Sequence, residues 1–338
     1  MFFGKKVSLG LDIGRYSVKA AVLSPNKKDA EALAESVIFP QREYYEQAPA
    51  DEEVYAAIRK TLESCLGPSS KVKTAINASF QGEGVCSNYV ELPLLKPHEL
   101  ETAVQSMAAK CLPFPLKEAA ISHFEVPPLS RDRHKTGIFL MTFKKSALDE
   151  QLVFLQKSGI QVERVEAYLI SMLRDLTVNH GKATEAFVAL VNIGFNLTTL
   201  MVMKDGHPYY ARDFAIAGRD FTYAFQMGAK CTWKEAEHAK LSYDVAKKDV
   251  PMEPVLTRWL DQVRKTLITA SRIDKAAPLP IEKVYLSGGS APWKGLLERV
   301  QETVSIPVAL DGWNHITPRE GGKEPHGAFA IAMGLALS

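Results

Sequence analysis

The chain opens on short apolar runs separated by polar turns. Residues 7–12 and 18–23 are strand-like, Asp51–Leu66 repeats its apolar residues with a helical period, and residues 71–80 form another strand-like run. Runs of this length favour strands, whereas a period near 3.6 residues favours an amphipathic helix. The opening therefore predicts a βββαβ-like order rather than a strict alternation of strands and helices.

The same order of elements returns past the midpoint of the chain. Three strand-like runs, two helical patterns and a further strand follow one another at residues 187–192, 198–203, 207–215, 219–227, 233–246 and 284–286. The two copies share the order of their elements but little sequence. This repeat predicts two lobes that are built alike.

A differently built unit lies between the copies. Patterns for a strand, a helix, two more strands and a second helix occupy residues 85–92, 97–112, 120–126, 137–143 and 146–158. Pro113 ends the first helix, because the residue before a proline is pushed out of the helical region. Ser146 is the expected N-cap of the second helix and Gly159 its end. Residues 85–145 are therefore predicted to form a small inserted α+β subdomain.

Two helical patterns complete the chain of 338 residues: an amphipathic helix at 254–273 and an apolar helix at 328–337 that should pack against the first lobe. The whole pattern predicts an α/β protein of two lobes. Its expected divisions are the first lobe at 1–84 and 146–185, the inserted subdomain at 85–145, the second lobe at 186–320 and the returning C-terminal helix at 321–338.

Composition narrows the class of protein. A hydrophobic content of 46%, a charged content of 24% and a net charge of +2 are ordinary for a globular protein and predict no nucleic-acid partner. The four cysteines are far apart and form no C-x-x-C pair, which disfavours zinc and disulfides and fits a reducing cytosol. No apolar run is long enough to span a membrane. We expect a cytoplasmic protein that reaches a membrane only through a partner.

The first polar turn carries candidate phosphate ligands. Asp12 could hold a cation through water, Gly14 would let a phosphate approach the backbone, and Lys19 could meet a phosphate oxygen. A tight hairpin with a turn aspartate and an exposed lysine explains the same residues. The segment alone leaves both interpretations open.

The second polar turn resembles the first but lacks its charge. Gly194 has the same position after its strand, and Thr198 or Thr199 could donate a hydroxyl group. Asn192 stands where the first turn has Asp12, and an amide can neither act as a base nor neutralise a divalent cation. A plain hairpin without a ligand therefore remains an alternative interpretation here as well.

Two further segments could bind a nucleoside. Gly288 and Gly289 follow a strand and precede a helix, so a ligand could lie flat against the backbone, although a plain turn explains them too. Glu237 and Lys240 share a helix face, where an exposed ion pair is the more common meaning of their spacing. No G-x-S-x-G, G-x-x-x-x-G-K-[ST], G-x-G-x-x-G or H-E-x-x-H motif occurs, which disfavours hydrolase, P-loop, Rossmann and zinc-protease functions.

The order of these segments resembles the nucleotide-binding fold of actin and hexokinase. In that family two hairpin turns hold the β- and γ-phosphates, and a glycine pair with an E-x-x-K helix holds adenosine. The stretch YVELPLLKPHELETAVQSMAAKCLPFPLKEA, the opening MFFGKKVSLGLDIGRYSVKAAVL and the later YYARDFAIAGRDFT are similar to the PilM family of pilus-assembly proteins. The resemblance covers nearly the whole chain.

This resemblance implies a two-lobe scaffold that binds ATP or ADP, with Asp12 as the candidate residue for Mg²⁺, and that hydrolyses the nucleotide slowly if at all. The implied nucleotide ligands are Asp12, Gly14, Arg15, Ser17, Lys19, Asn192, Gly194 and Thr198 on the phosphate side, and Glu237, Lys240, Gly288 and Gly289 on the nucleoside side. The implied partner is the N-terminal cytoplasmic peptide of a PilN-like inner-membrane protein. Its groove would lie between the inserted subdomain and the first lobe, with residues 92–116 forming much of one wall.

The chain departs from the family pattern at three places. The family usually has Asp at the position of Asn192, small Ser-like residues at Arg15 and Tyr16, and a glycine pair where this chain has Ala217 and Gly218. Loss of the carboxylate disfavours hydrolysis assisted by Mg²⁺. Arg15 either contacts phosphate in place of a metal or obstructs the pocket. A small-metabolite kinase, and an adaptor that has lost nucleotide altogether, remain alternatives, and self-association is possible.

Overall fold

A computed structural model describes residues 7–24, 29–38, 49–67, 74–80, 86–248, 251–274, 276–312, 317–318 and 327–338. Its strands are β1 (Val7–Ile13), β2 (Ser17–Leu23), β3 (Asp29–Val37), β4 (Thr74–Phe80), β5 (Cys86–Pro93), β6 (Ala119–Val126), β7 (Lys135–Lys144), β8 (Arg164–Ala167), β9 (Phe187–Ile193), β10 (Thr198–Lys204), β11 (His207–Phe214), β12 (Ile281–Ser287), β13 (Val308–Leu310) and β14 (Thr317–Pro318). Its helices are α1 (Asp51–Leu66), α2 (Pro97–Cys111), α3 (Lys145–Lys157), α4 (Tyr168–His180), α5 (Gly218–Ala229), α6 (Trp233–Ser242), α7 (Glu253–Ser271), α8 (Leu296–Val304) and α9 (Ala330–Ala336).

The two lobes contain sheets of matching topology. One sheet has the order β14-β3-β2-β1-β4-β8 and the other the order β11-β10-β9-β12-β13. In each, a hairpin of antiparallel strands (β1–β2, β9–β10) continues antiparallel on one side (β3, β11) and parallel on the other (β4, β12). This correspondence confirms the predicted repeat and the α/β class of the fold.

Helices cover these sheets and form the cores. In the first lobe α1 packs against β2 and β3, and its Val54 and Ile58 belong to the core beneath this sheet. The closing helix α9 covers the opposite face, so closely that a Cβ at Gly10 would lie 1.8 Å from the carbonyl oxygen of Ala332. The C-terminal helix therefore packs against the hairpin of β1 and β2. In the second lobe α5, α7 and α8 share a core with Trp259 at its centre.

The inserted unit is a three-stranded antiparallel sheet of order β5-β7-β6 with α2 on one face. The other face of β7, with Phe139 and Met141, packs into a core shared with α4 and with second-lobe strands. Ser87 Oγ donates a hydrogen bond of 2.6 Å to the carbonyl oxygen of Ala211, so β5 lies beside β11. The predicted boundaries of this subdomain and of the lobes stay predictions.

Helix limits differ from the sequence-based expectation at several places, and three of these differences have a clear physical reason. The helix expected at 233–246 ends at Ser242, because Tyr243 is extended and Asp244 begins a separate 3₁₀ turn. The helix expected to be capped by Ser146 begins at Lys145, since β7 runs directly into it. The helix after the glycine pair begins only at Leu296, because Gly295 has a φ of +82°. The predicted strand starts at residues 71–73 and 85 and the residues 321–326 lie outside the described chain.

Within the described ranges, none of the helices is both long enough and apolar enough to cross a membrane.

Candidate functional site

The two polar turns have the same backbone geometry. The Gly14 N–H donates to the carbonyl oxygen of Ser17 at 3.1 Å, and the Gly194 N–H donates to the carbonyl oxygen of Leu197 at 3.0 Å. A Cβ on either glycine would lie 2.9 Å from that same oxygen. Each turn therefore requires a residue without a side chain at this point, as the sequence pattern indicates.

A row of polar side chains crosses the first sheet at its turn, and we call it the first row: Ser79, Asp12, Lys19 and Glu35. Asp12 is the cross-strand partner of Lys19, which is the partner of Glu35. Residues directly opposite one another on neighbouring strands point to the same face. The Ser79 hydroxyl donates to Asp12 Oδ1 at 3.1 Å, which adds the fourth member of the row.

A second row crosses the other sheet at the corresponding positions and consists of Ser287, Asn192, Thr199 and Asp213. Each is the cross-strand partner of the next. The Asn192 amide Nδ2 donates to Ser287 Oγ at 2.9 Å, and the Thr199 hydroxyl donates to Asp213 Oδ1 at 2.7 Å. The matched rows thus place Asp12 and Asn192 at equivalent points of the two lobes.

The first row is already paired internally. Lys19 Nζ donates to Ser17 Oγ at 2.9 Å and lies 3.4 Å from Glu35 Oε1, while the Ser17 hydroxyl donates to Glu35 at 2.6 Å. Asp12 is buried, and this burial raises its pKa, although nearby Lys19 opposes the shift. Ser17 and Lys19, both predicted phosphate ligands, therefore share one glutamate in this structure.

Asp213 is a carboxylate of the second row that sequence reasoning missed. Besides the Thr199 hydroxyl, it accepts the Tyr168 hydroxyl, 2.6 and 2.7 Å from its two carboxylate oxygens. Burial raises the pKa of Asp213, and these two donors oppose the shift. Only the sheet register brings Asp213 into line with Asn192, because the two residues lie on strands that do not touch.

The role predicted for the Thr198 hydroxyl does not fit the geometry. Thr198 is fully buried, donates to the carbonyl oxygen of Ile216 at 2.8 Å and accepts the indole N–H of Trp259 at 3.0 Å. Its single hydroxyl proton is thus committed within the second lobe. Thr198 pairs with Ile193 across the hairpin, directly after the second turn.

The glycine pair meets the second turn from a neighbouring strand. Gly288 has a φ of +91°, and a Cβ there would lie 2.4 Å from the carbonyl oxygen of Ile193. A Cβ at Gly289 would meet no atom within 4 Å. Gly288 is therefore required by close packing, whereas Gly289 leaves open space at its surface that a flat ligand could occupy.

Glu237 and Lys240 form a buried pair rather than the exposed pair that their spacing commonly means. Lys240 Nζ lies 2.8 Å from both carboxylate oxygens of Glu237 and 2.8 Å from the Thr222 hydroxyl, which itself donates to Glu237. Burial lowers the pKa of Lys240, and Glu237 opposes that shift. The ammonium group also lies 5.8 Å from the ring centre of Trp293, which follows the glycine pair.

Aromatic side chains connect the two turns. The rings of Tyr16 and Phe195 stack with centres 5.3 Å apart, and Phe195 meets Trp233 edge to face at 6.2 Å. The polar turn of the first lobe therefore contacts the polar turn of the second lobe. Arg15, beside Tyr16, is exposed and has no hydrogen-bond or ion-pair partner among the residues that the structure describes.

Comparison with known proteins identifies the family. A model described as type IV pilus assembly protein PilM matches residues 10–338. The chain belongs to the PilM family. This PilM-family chain is similar in fold to the PilM-PilN type IV pilus biogenesis complex, with a TM-score of 0.81, 22% identity, and coverage of 98% of this chain and 97% of that one.

More distant relatives share the actin-like architecture. MreB5 of Spiroplasma citri bound to AMPPNP has a TM-score of 0.51 at 10% identity, over 98% of this chain and 96% of that one. Cell division protein FtsA of Bacillus subtilis (strain 168) is 22% identical over 207 residues, which span 54% of this chain and 46% of FtsA. The match therefore covers less than half of FtsA. The fold is the two-lobe actin-like fold that the motif order indicates.

Proposed function

We propose that this PilM-family chain is a cytoplasmic scaffold of a type IV pilus, or of a related secretion or competence machine. It would stay at the inner membrane by holding the N-terminal cytoplasmic peptide of a PilN-like protein, without inserting itself. The observation that carries this proposal is the family match over residues 10–338, together with the likeness to a structure in which PilM is in complex with PilN.

The inserted subdomain offers the surface for such a peptide. The Leu92–Leu116 region packs α2 against β7 through Leu100 and Val104, while Leu94 between β5 and α2 leaves 64% of its area exposed. An exposed leucine beside a small apolar core is a typical anchor point for a peptide, because its burial by a partner is favourable.

The partner proposal is tested with a synthetic peptide from the N-terminus of the neighbouring bitopic protein. We expect saturable binding by calorimetry, weakened by Leu94→Asp. Leu241→Asp, at a leucine of the second lobe that is 41% exposed, is the matched control and should leave binding unchanged. Equal affinity in both variants would exclude this surface, and absence of binding to the unchanged protein would exclude the peptide as partner.

We further propose that the two turns together bind adenine nucleotide, as ATP or ADP. The matched backbone of the Gly14 and Gly194 turns supports this, since successive backbone N–H groups in such turns suit phosphate oxygens. The open surface at Gly289 would take the nucleoside, with the Glu237–Lys240 pair beneath it. Ser17 and Lys19 would reach phosphate by giving up part of their pairing with Glu35.

Titration with a fluorescent ATP analogue tests this second proposal. We expect saturable binding that Gly289→Val weakens at least about tenfold, which corresponds to about 1.4 kcal/mol. The substitution adds bulk where the structure has open space, so thermal unfolding should be unchanged and serves as the control for folding. Unchanged binding in this variant would show that the nucleoside does not bind at Gly289.

Hydrolysis should be slow or absent. The second row carries an amide at Asn192, which cannot act as a base, and the Asp12 carboxyl group of the first row is buried and already accepts the Ser79 hydroxyl. A small-metabolite kinase is not favoured by the family match. If no saturable binding occurs at millimolar nucleotide, the chain is instead an adaptor that does not bind nucleotide.

A further inference from the structure

The chemistry of the two rows does not fit a divalent cation between the turns. A cation such as Mg²⁺ prefers carboxylate and water oxygens, in a site with negative charge nearby. At the second turn the equivalent of Asp12 is the neutral Asn192, whose amide nitrogen is directed at Ser287 Oγ. This position can offer an oxygen but no charge.

The remaining carboxylates of the rows are already balanced. Glu35 accepts a hydrogen bond from the Ser17 hydroxyl and pairs with Lys19, and Asp213 accepts hydrogen bonds from the Tyr168 and Thr199 hydroxyls. Burial raises the pKa of Asp12, which favours its uncharged form. Across the parts of the chain that are described, no three His, Cys, Asp or Glu residues are grouped so that they could hold a metal ion.

The first turn instead presents a cation of its own. Arg15 follows Gly14, whose N–H closes the turn, and its exposed guanidinium has no partner among the described residues. A guanidinium group binds phosphate oxygens through paired hydrogen bonds and remains charged at every physiological pH. It therefore supplies at this turn the positive charge that a bound metal ion would otherwise bring.

We propose that the two turns bind the nucleotide phosphates without a divalent cation and that Arg15 provides their counter-charge. This inference rests on the proposed nucleotide binding and specifies how that same site recognises the phosphates. It separates this chain from any relative in which the turns hold a cation through two carboxylates.

The first test compares the affinity of the full-length protein for a fluorescent ATP analogue in Mg²⁺ and in excess EDTA. We expect the two dissociation constants to agree within about threefold, or about 0.65 kcal/mol at 1.4 kcal/mol per factor of ten. Binding that weakens tenfold or more in EDTA would overturn the metal-free inference while leaving the proposed nucleotide function intact. Absence of binding in both buffers would instead overturn the nucleotide function itself.

The second test assigns the counter-charge. Arg15→Ser should weaken binding in EDTA about tenfold or more, the loss expected for one charge-assisted contact. Arg59→Ser, at an exposed arginine of α1, is the matched control and should change nothing. If the two variants bind alike, Arg15 is not the counter-charge.

A double variant asks whether the lost metal site can be rebuilt. Adding Asn192→Asp to Arg15→Ser returns a carboxylate of the same shape to the second turn and removes the competing cation. We expect this protein to bind the analogue at least tenfold more tightly in Mg²⁺ than in EDTA. Affinity that stays independent of Mg²⁺ would show that these two residues do not set the cation requirement, and the inference would fail.

Discussion

Each lobe contains a lysine that is bonded at once to a hydroxyl group and to a glutamate. The two groups are Ser17, Lys19 and Glu35 in the first lobe, and Thr222, Glu237 and Lys240 in the second. In both, the hydroxyl group also donates to the glutamate, so each closes a triangle of three contacts. The chemistry is the same, but the backbone that produces it differs.

Depth separates the two groups. The Lys19 side chain is 14% exposed and its glutamate 31%, whereas the Lys240 side chain is 3% exposed and its glutamate 20%. The first group is built across neighbouring strands and lies beside the Gly14 turn, where its side chains are partly exposed, so water can replace one partner. The second group is built between two helices, where replacement leaves a buried charge alone. The comparison indicates that the first group is exchangeable and the second structural.

The largest effect is expected from removing the deeper lysine. Lys240→Met leaves Glu237 without its cation and should lower the free energy of unfolding by about 3–5 kcal/mol, the usual result of breaking a buried pair. Lys19→Met should lower it by less than about 1 kcal/mol, because its partner can be solvated. Chemical denaturation of both variants measures the difference. Equal losses would abolish the distinction between an exchangeable and a structural group.

The sequence predicts the turns well because their shape depends on local backbone. Gly14 and Gly194 could be matched by their positions alone, and both close their turns in the same way. The spacing of Glu237 and Lys240 predicts a shared helix face but not its burial. That burial depends on Thr222 and on Trp293, which are distant in sequence.

Sequence reasoning fails where register between strands decides the neighbours. Asp213 joins the second row only because β10 pairs with both β9 and β11 at fixed positions. The sequence predicts a phosphate contact for the Thr198 hydroxyl, yet this hydroxyl donates to the carbonyl oxygen of Ile216 and accepts the indole N–H of Trp259, on a helix far along the chain. Pattern along a strand shows which face a residue occupies but not which distant donor meets it there.

A smaller effect is expected from making the two hairpins alike behind their turns. Val18 occupies in the first lobe the position of Thr198 in the second, since each pairs with the isoleucine before its turn. Thr198→Val would leave the buried indole N–H of Trp259 unpaired and should lower the free energy of unfolding by about 1–3 kcal/mol.

The matched control for this change is Thr61→Val, another fully buried threonine. Its hydroxyl lies 2.8 Å from the carbonyl oxygen of Ala57 and 3.4 Å from that of Val18, and no donor among the described residues bonds to it, so its removal leaves no N–H unpaired there. Thermal unfolding should show a clearly larger loss for Thr198→Val. If Thr61→Val loses as much stability, the hydrogen bond from Trp259 is not the cause of the loss in Thr198→Val.

The smallest change makes the two rows alike at their central position. Asp12→Asn gives the first row the amide that the second row has at Asn192, and its oxygen can still accept the Ser79 hydroxyl.

Burial raises the folded-state pKa of Asp12 above the unfolded value of about 3.9, with Lys19 opposing the shift and Glu35 adding to it. The stability that protonated Asp12 contributes is therefore full below about pH 4 and is lost as the pH rises through its folded-state pKa. Above that pH the variant should melt slightly higher than the unchanged protein, and the gain should shrink on acidification. A variant that melts lower at pH 7.5 would mean that the charged carboxylate is stabilised in the first row, and that the two lobes differ by more than the loss of a charge.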